Sequence, residues 1–233
     1  PSAFGGNSAS YRSPRRSVTS STRMGSVDYD LGISAKSLMK QIGFDWNVSL
    51  ADMEKTLRGN QAADLSAIRL ATRATLGFNC RESLNVSPEV VAAFASAVED
   101  LYLDVPFHNS HHAAQVCHHV NVLAQQIGVR RHLSRADQAA LSVAGLCHDV
   151  SHFGRSNSFL VETRHELAIR YNDVAVMENF HAAMTFQIIK SSSATDITAG
   201  MSKREERRFR TRTIQLVLAT DSARISSSSL SCA

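Results

Sequence analysis

From Asp137 to Gly154 the chain reads DQAALSVAGLCHDVSHFG. Ser134 and Asp137 supply a helix start, and the stretch that follows is nearly all apolar. A helix of that kind has almost no face to give to water, so other helices must surround it on most sides. Its end is polar: His148 and Asp149 are adjacent, and His152 follows three residues later. Burying a carboxylate is costly unless a positive charge compensates it. A cation does this well, because imidazole nitrogen and carboxylate oxygen are ordinary ligands of zinc and of harder divalent ions. A hydrogen-bonded His–Asp pair, or a helix-end cap, is the alternative reading of the same residues.

The rest of the chain beyond about residue 40 supplies helical partners and very little that reads as strand. Ser87-Pro88-Glu89 opens one helix, with a capping hydroxyl, a proline whose missing N–H costs nothing in the first turn, and an acid suited to the helix dipole. Pro106 breaks the chain, and a His-rich helix runs from there towards Gly128. Further helical patterns occupy FLVETRHELAIRY, then VAVMENFHAAMTFQIIK behind the capping candidate Asp173, then KREERRFRTRTIQLVLATD. The architecture is all-α, with no internal repeat.

At 233 residues the chain has room for one medium domain and a tail. The Ser/Arg-rich residues 1–40 read as a disordered segment; their composition is compatible with a transit peptide, but no amphipathic period favours that. No apolar run reaches the roughly 18 residues needed for a membrane span. Four cysteines without close-pair spacing indicate neither a zinc knuckle nor a disulfide framework, so a reducing, intracellular and cytoplasmic setting is expected. The basic cluster at 203–212 alternates with acids and reads as a solvated helix face, so nucleic acid is not an expected partner.

Five of the ten histidines fall between Pro106 and His119, in PFHNSHHAAQVCHH. His108 and His112 are four apart and would share one helical face, where either or both could meet a cation. A bare HxxxH is weak evidence for that. His111, His118 and His119 have no assignable role, and surface exposure is their default. Glu178, Asn179 and His181 add polar groups to a later apolar helix, as convergence on an internal polar pocket would require.

FHNSHHAAQV, HDVSHFGRSNSFL, ETRHELAIRYNDVAVMENFHAAMTF and LVLATD, in this order, resemble the catalytic domain of class I 3′,5′-cyclic nucleotide phosphodiesterases. The resemblance extends from about Phe44 to Asp221 and implies a compact multi-helix bundle of the His-Asp phosphohydrolase type over 41–224. It implies that His112, His148 and Asp149 hold a zinc ion, with Asp149 bridging to a second ion, magnesium or manganese. His108 becomes the general acid and not a ligand. His152 and Glu178 would orient water on the second ion, and Asp221 would stand near the metal pair. The implied reaction is hydrolysis of a 3′,5′-cyclic nucleotide to a 5′-nucleotide by a metal-bridging hydroxide, with a proton from His108.

The departures are as specific as the matches. After Asp221 the pattern stops, and 225–233 form a Ser-rich divergent tail without the family's later aspartate and purine-holding glutamine. A truncated product, an alternative terminal exon or a faulty gene model would each give this. Ser151 stands where the family usually has Asp, and Arg164-His165 where it usually has Asn-Ser. Zinc on three protein ligands keeps an open fourth position, for which Asp221 is a candidate. A catalytically inactive fragment that regulates or binds a full-length phosphodiesterase is the alternative function, and another His-Asp phosphohydrolase a third. Loss of C-terminal helices would uncover apolar faces of VAVMENFHAAMTFQII and TIQLVLAT, favouring a homo- or hetero-oligomer.

Overall fold

The computed structural model describes residues 39–59, 66–78 and 84–223. The segment expected over 1–40 lies outside them but for its last two residues, as does the tail at 225–233. Among the described residues there are nine α-helices and no strand, so the all-α expectation holds. They are α1 (Leu50–Gly59), α2 (Ala67–Thr72), α3 (Pro88–Glu99), α4 (Ser110–Gln126), α5 (Arg135–Cys147), α6 (Asn157–Glu162), α7 (Glu166–Tyr171), α8 (Val176–Lys190) and α9 (Lys203–Leu218). A π-helical turn, Arg73–Phe78, extends α2, and a 3₁₀ turn, Val129–His132, links α4 to α5.

The central helix is α5, as its sequence requires: ten of its thirteen residues are buried. Ser134 and Asp137 cap each other reciprocally at its start, satisfying two backbone donors. Helices α4 and α9 flank it. Close approach to α4 depends on Gly145, where a Cβ would stand 2.8 Å from the Cα of Cys117. On the other side Arg208 forks onto Asp137 in the first turn of α5, with Nε at 2.9 Å and Nη2 at 2.7 Å, while Val217 joins Ala144 in a buried cluster near the last turn. Helices α5 and α9 therefore run side by side in one direction, and the end of α9 comes to the His148 end of α5.

Three helix boundaries differ from expectation. Helix α5 stops at Cys147, because Ser151 (φ 65°) and Gly154 (φ 76°) turn the chain through left-handed conformations. FLVETRHELAIRY is two short helices, broken where Arg164 takes φ 50°; His165 then caps α7 by accepting the Leu167 N–H on Nδ1. Asp173 does not cap α8. It is itself left-handed (φ 62°), and the N-cap is Ala175, which has no side-chain acceptor. Asn157 of α6 does that work from outside, accepting the Met177 N–H at 2.8 Å.

The basic cluster on α9 is only partly a solvated face, since Arg208 and Arg212 pair with Asp137 and Arg210 lies over the Phe186 ring. Helices α8 and α9 do not leave the apolar faces uncovered that the sequence suggested. Val176, Met177, Phe180, Ile188, Ile189 and Val217 are buried, and of the exposed large apolar side chains among the described residues only Val174, ahead of α8, falls in those two stretches. His118 also departs from expectation: it is buried, and its Nδ1 accepts the Gly43 N–H at 2.9 Å, pinning the 39–48 segment to α4. His111 is exposed, as expected.

Candidate metal centre

Each of the three expected ligands is delivered by a local device. Asn109 caps α4, its Oδ1 accepting the N–H groups of His111 and His112 while its Nδ2 donates to the Val105 carbonyl. His112 thus sits in the first turn with its backbone fixed. His148 is the C-cap of α5, and its Nδ1 is 3.0 Å from the Gly145 carbonyl. A carbonyl oxygen only accepts, so Nδ1 carries the proton and Nε2 turns a lone pair inward. Asp149 follows in the turn.

The three groups converge. His112 Nε2 and His148 Nε2 are 3.2 Å apart, and Asp149 Oδ2 is 3.4 Å from the first and 3.1 Å from the second. Tetrahedral ligands at about 2.0–2.1 Å from zinc lie roughly 3.3 Å from one another, so this triangle has the edge lengths of one face of such a site. The chemistry agrees with the spacing. A neutral His148 would press a lone pair against a carboxylate oxygen, an arrangement that needs a proton or a cation between them. Burial alone would raise the Asp149 carboxyl, yet the His112 and His148 imidazoles that face it hold it well below the usual carboxylate range. A charged, half-buried carboxylate facing two imidazole nitrogens is a ready cation site, and the residues present fit one.

His108 is not on a helical face with His112, as the four-residue spacing suggested. It precedes the Asn109 cap, outside the helix. Its ring stacks on His152 with centroids 3.9 Å apart, and Phe107 stands edge-on to it at 5.0 Å. His152 accepts the Gly154 N–H on Nδ1 at 3.0 Å, which leaves Nε2 as the protonated nitrogen of the neutral ring. Burial, and next the charge of His108, lower the pKa of His152 and favour that neutral ring.

Glu178 is turned towards Asn157, whose Nδ2 donates to its Oε2 at 2.9 Å. Asp221 is buried beyond the C-terminal end of α9, where its Oδ1 accepts the Ala223 N–H. That places it beyond the same end of α5 that bears His148. One residue beside the triangle was expected only as a polar group of an internal pocket, with no role of its own: His181 of α8, whose Nε2 is 3.9 Å from Asp149 Oδ1. The available signal was its position three residues after Glu178 on an apolar helix.

A family model described as 3′5′-cyclic nucleotide phosphodiesterase matches residues 107–229. The chain belongs to that family. The match contains every residue of the triangle together with His108, His152, Glu178, His181 and Asp221. Among curated relatives of these phosphodiesterases, the dual 3′,5′-cyclic-AMP and -GMP phosphodiesterase beta of Plasmodium falciparum is 34% identical over 146 residues, 63% of this chain and 13% of that protein. The mouse high affinity cAMP-specific and IBMX-insensitive 3′,5′-cyclic phosphodiesterase 8A is 33% identical over 177 residues, 76% of this chain and 21% of that protein. The mouse high affinity cGMP-specific 3′,5′-cyclic phosphodiesterase 9A is 34% identical over 140 residues, 60% of this chain and 26% of that protein.

A crystal structure of the phosphodiesterase domain of the RhoPDE fusion protein from Salpingoeca rosetta is similar in fold, with a TM-score of 0.67 and 26% identity. That likeness covers 81% of this chain and 56% of the other. The chain therefore spans about a quarter or less of these curated phosphodiesterases and little more than half of the solved phosphodiesterase domain. No helix among the described residues is long and apolar enough to cross a membrane.

Proposed function

We propose that this chain hydrolyses 3′,5′-cyclic nucleotides to 5′-nucleotides, with His112, His148 and Asp149 holding a zinc ion and a second divalent cation, magnesium or manganese, sharing Asp149. The observation that carries the reading is the triangle of two imidazole nitrogens and one carboxylate oxygen with edges of 3.1–3.4 Å, set beside a histidine that is not part of it. A divalent ion there supplies Lewis acidity, neutralising charge on phosphoryl oxygens and lowering the pKa of water.

The protein's own groups divide the remaining work. The Gly145 carbonyl holds the His148 tautomer, so the ring offers its lone pair to a cation without losing a proton first. Attack of hydroxide at phosphorus breaks the bond to O3′, and the departing alkoxide is a poor leaving group unless it is protonated. His108 in its imidazolium form gives that proton, which is why a histidine outside the ligand set is needed. Stacked on His152, the ring is held at the rim of the site. His152 and Glu178 then serve as hydrogen-bonding groups for ordered water and Asp221 as a carboxylate near the metal pair, while the substrate is the cyclic nucleotide and a cytoplasmic setting suits it. The relatives' names divide among dual, cyclic AMP and cyclic GMP enzymes, so base preference stays outside the proposal.

The test is hydrolysis of cyclic AMP and cyclic GMP by the purified chain with added zinc and magnesium, beside the double variant His108→Ala, Asp149→Ala. Turnover at least a hundredfold above the variant is expected, from the usual worth of a general acid alone. Equal rates, with zinc still bound to the wild type, would refute hydrolysis by this chain.

A further inference from the structure

The most revealing loose end in the described residues is one nitrogen of His181. The ring is 1% exposed on α8, and its Nδ1 is 2.7 Å from the Val150 carbonyl, in the turn that carries Asp149. Since the carbonyl can only accept, Nδ1 is the donor, and Nε2 presents a lone pair. That Nε2 is buried and without a hydrogen-bond partner. An atom of this kind usually marks something that binds there.

What it faces is another acceptor. Asp149 Oδ1 is 3.9 Å away, beyond the reach of a direct hydrogen bond. A single molecule donating two hydrogen bonds closes such a gap: placed about 2.8 Å from each atom, it subtends an angle near 90°, within the range water tolerates. The two oxygens of Asp149 then have separate duties. Oδ2 lies in the triangle with His112 and His148, while Oδ1 is turned to His181.

We propose that His181 is a positioning residue for Asp149: through one shared water, donor to both Nε2 and Oδ1, it fixes the carboxylate so that Oδ2 is presented to the cation. This rests on the metal reading given above and adds to it a polar subsite whose occupant is a double hydrogen-bond donor. That donor is a free water or a water belonging to a hydrated divalent cation. Outer-shell groups of this type commonly set ligand orientation, and their loss costs about 10- to 100-fold in metal affinity.

The test uses His181→Asn. The Asn Nδ2 takes the place of the histidine Nδ1 and keeps the bond to Val150, but nothing replaces Nε2. Zinc is titrated calorimetrically into the metal-free wild type and variant, with the melting temperature of both metal-free proteins as the control for folding. Zinc affinity is expected to fall 10- to 100-fold with little change in melting. Equal affinities, or a loss of melting temperature alone, would overturn the positioning role. Wild type that binds no zinc would instead overturn the metal reading, and the positioning role with it.

High-resolution crystal structures of the metal-free and magnesium-loaded protein complete the test. Water within about 3.2 Å of both atoms in each structure supports a resident water. Water in the magnesium-loaded form alone supports a hydrated cation. A direct Nε2–Oδ1 bond, or no water in either form, overturns the bridge.

Discussion

The imidazole of His108 stacks on that of His152, with ring centroids 3.9 Å apart and planes 22° from parallel. The first residue comes from the loop before α4 and the second from the turn after α5, so the pair joins the two segments that also carry the metal triangle. A ring stacked face to face in this way is held in one orientation, which a proton donor acting at a fixed place requires.

Removal of the platform is therefore expected to slow hydrolysis. His152→Ala should lower kcat by about 10- to 100-fold, and His152→Phe, which keeps an aromatic face, should recover part of the loss. The rate of 5′-nucleotide formation measures both. If Phe and Ala lose equally, the His152 Nε2–H matters and the stacking does not.

Gly145 is expected to accept no side chain. A Cβ there would meet Cys117 Cα at 2.8 Å and N at 3.2 Å, backbone atoms that can yield only if α4 and α5 separate. Gly145→Ala should cost roughly 1–3 kcal/mol in urea unfolding and weaken zinc binding, because separation also draws His112 away from His148. Unchanged stability would mean that the helices repack without cost.

Asn157 ties α6 to the start of α8 through both ends of its amide, accepting from Met177 N at 2.8 Å and donating to Glu178 Oε2 at 2.9 Å. Asn157→Ala leaves α8 uncapped and is expected to destabilise the protein by about 1–2 kcal/mol. Asn157→Asp should keep the cap but repel Glu178, retaining stability better than Ala while failing to fix that carboxylate. Thermal melting of the two variants separates the cap from the carboxylate contact.

His118 gives stability a pH dependence of definite sign. Burial, and next the neighbouring His119, push its pKa down from 6.5 to about 4. Below pH 6.5 the unfolded ring takes up a proton that the folded ring refuses, so stability falls between pH 6.5 and 4 and is level above. Protonation would also abolish the bond accepted from Gly43. Between pH 7.5 and 5, wild type should lose roughly 2 kcal/mol more than His118→Phe in urea unfolding. Burial also depresses His181 to about 4, but that contribution is common to both proteins and cancels in the comparison. Parallel losses would exclude His118 as the source.

Much of the helical framework was determined by sequence alone, because its signals are local. Ser134 with Asp137 starts α5 through groups three residues apart, Pro88 stands in the first turn of α3 although the Ser87 hydroxyl makes no cap bond to the backbone, and an apolar helix such as α5 can only be central. His148-Asp149 at the end of that helix, with the ordered phosphodiesterase motifs, pointed to a cation site for the same reason.

What the tertiary structure decided involves groups distant in sequence. His181 reaches the Val150 turn across 31 positions, Asn157 caps α8 across 20, and His118 holds Gly43 across 75. No periodicity announces such pairs, since each depends on how two helices pack. The placement of His108 shows the same limit at short range. Four residues separate it from His112, but Asn109 claims the cap, so the helix begins after His108 and leaves its ring free to stack on His152. Spacing along a chain fixes a shared face only where the helix is continuous, and here a hydrogen-bonding side chain and the packing of a second turn settled where it starts.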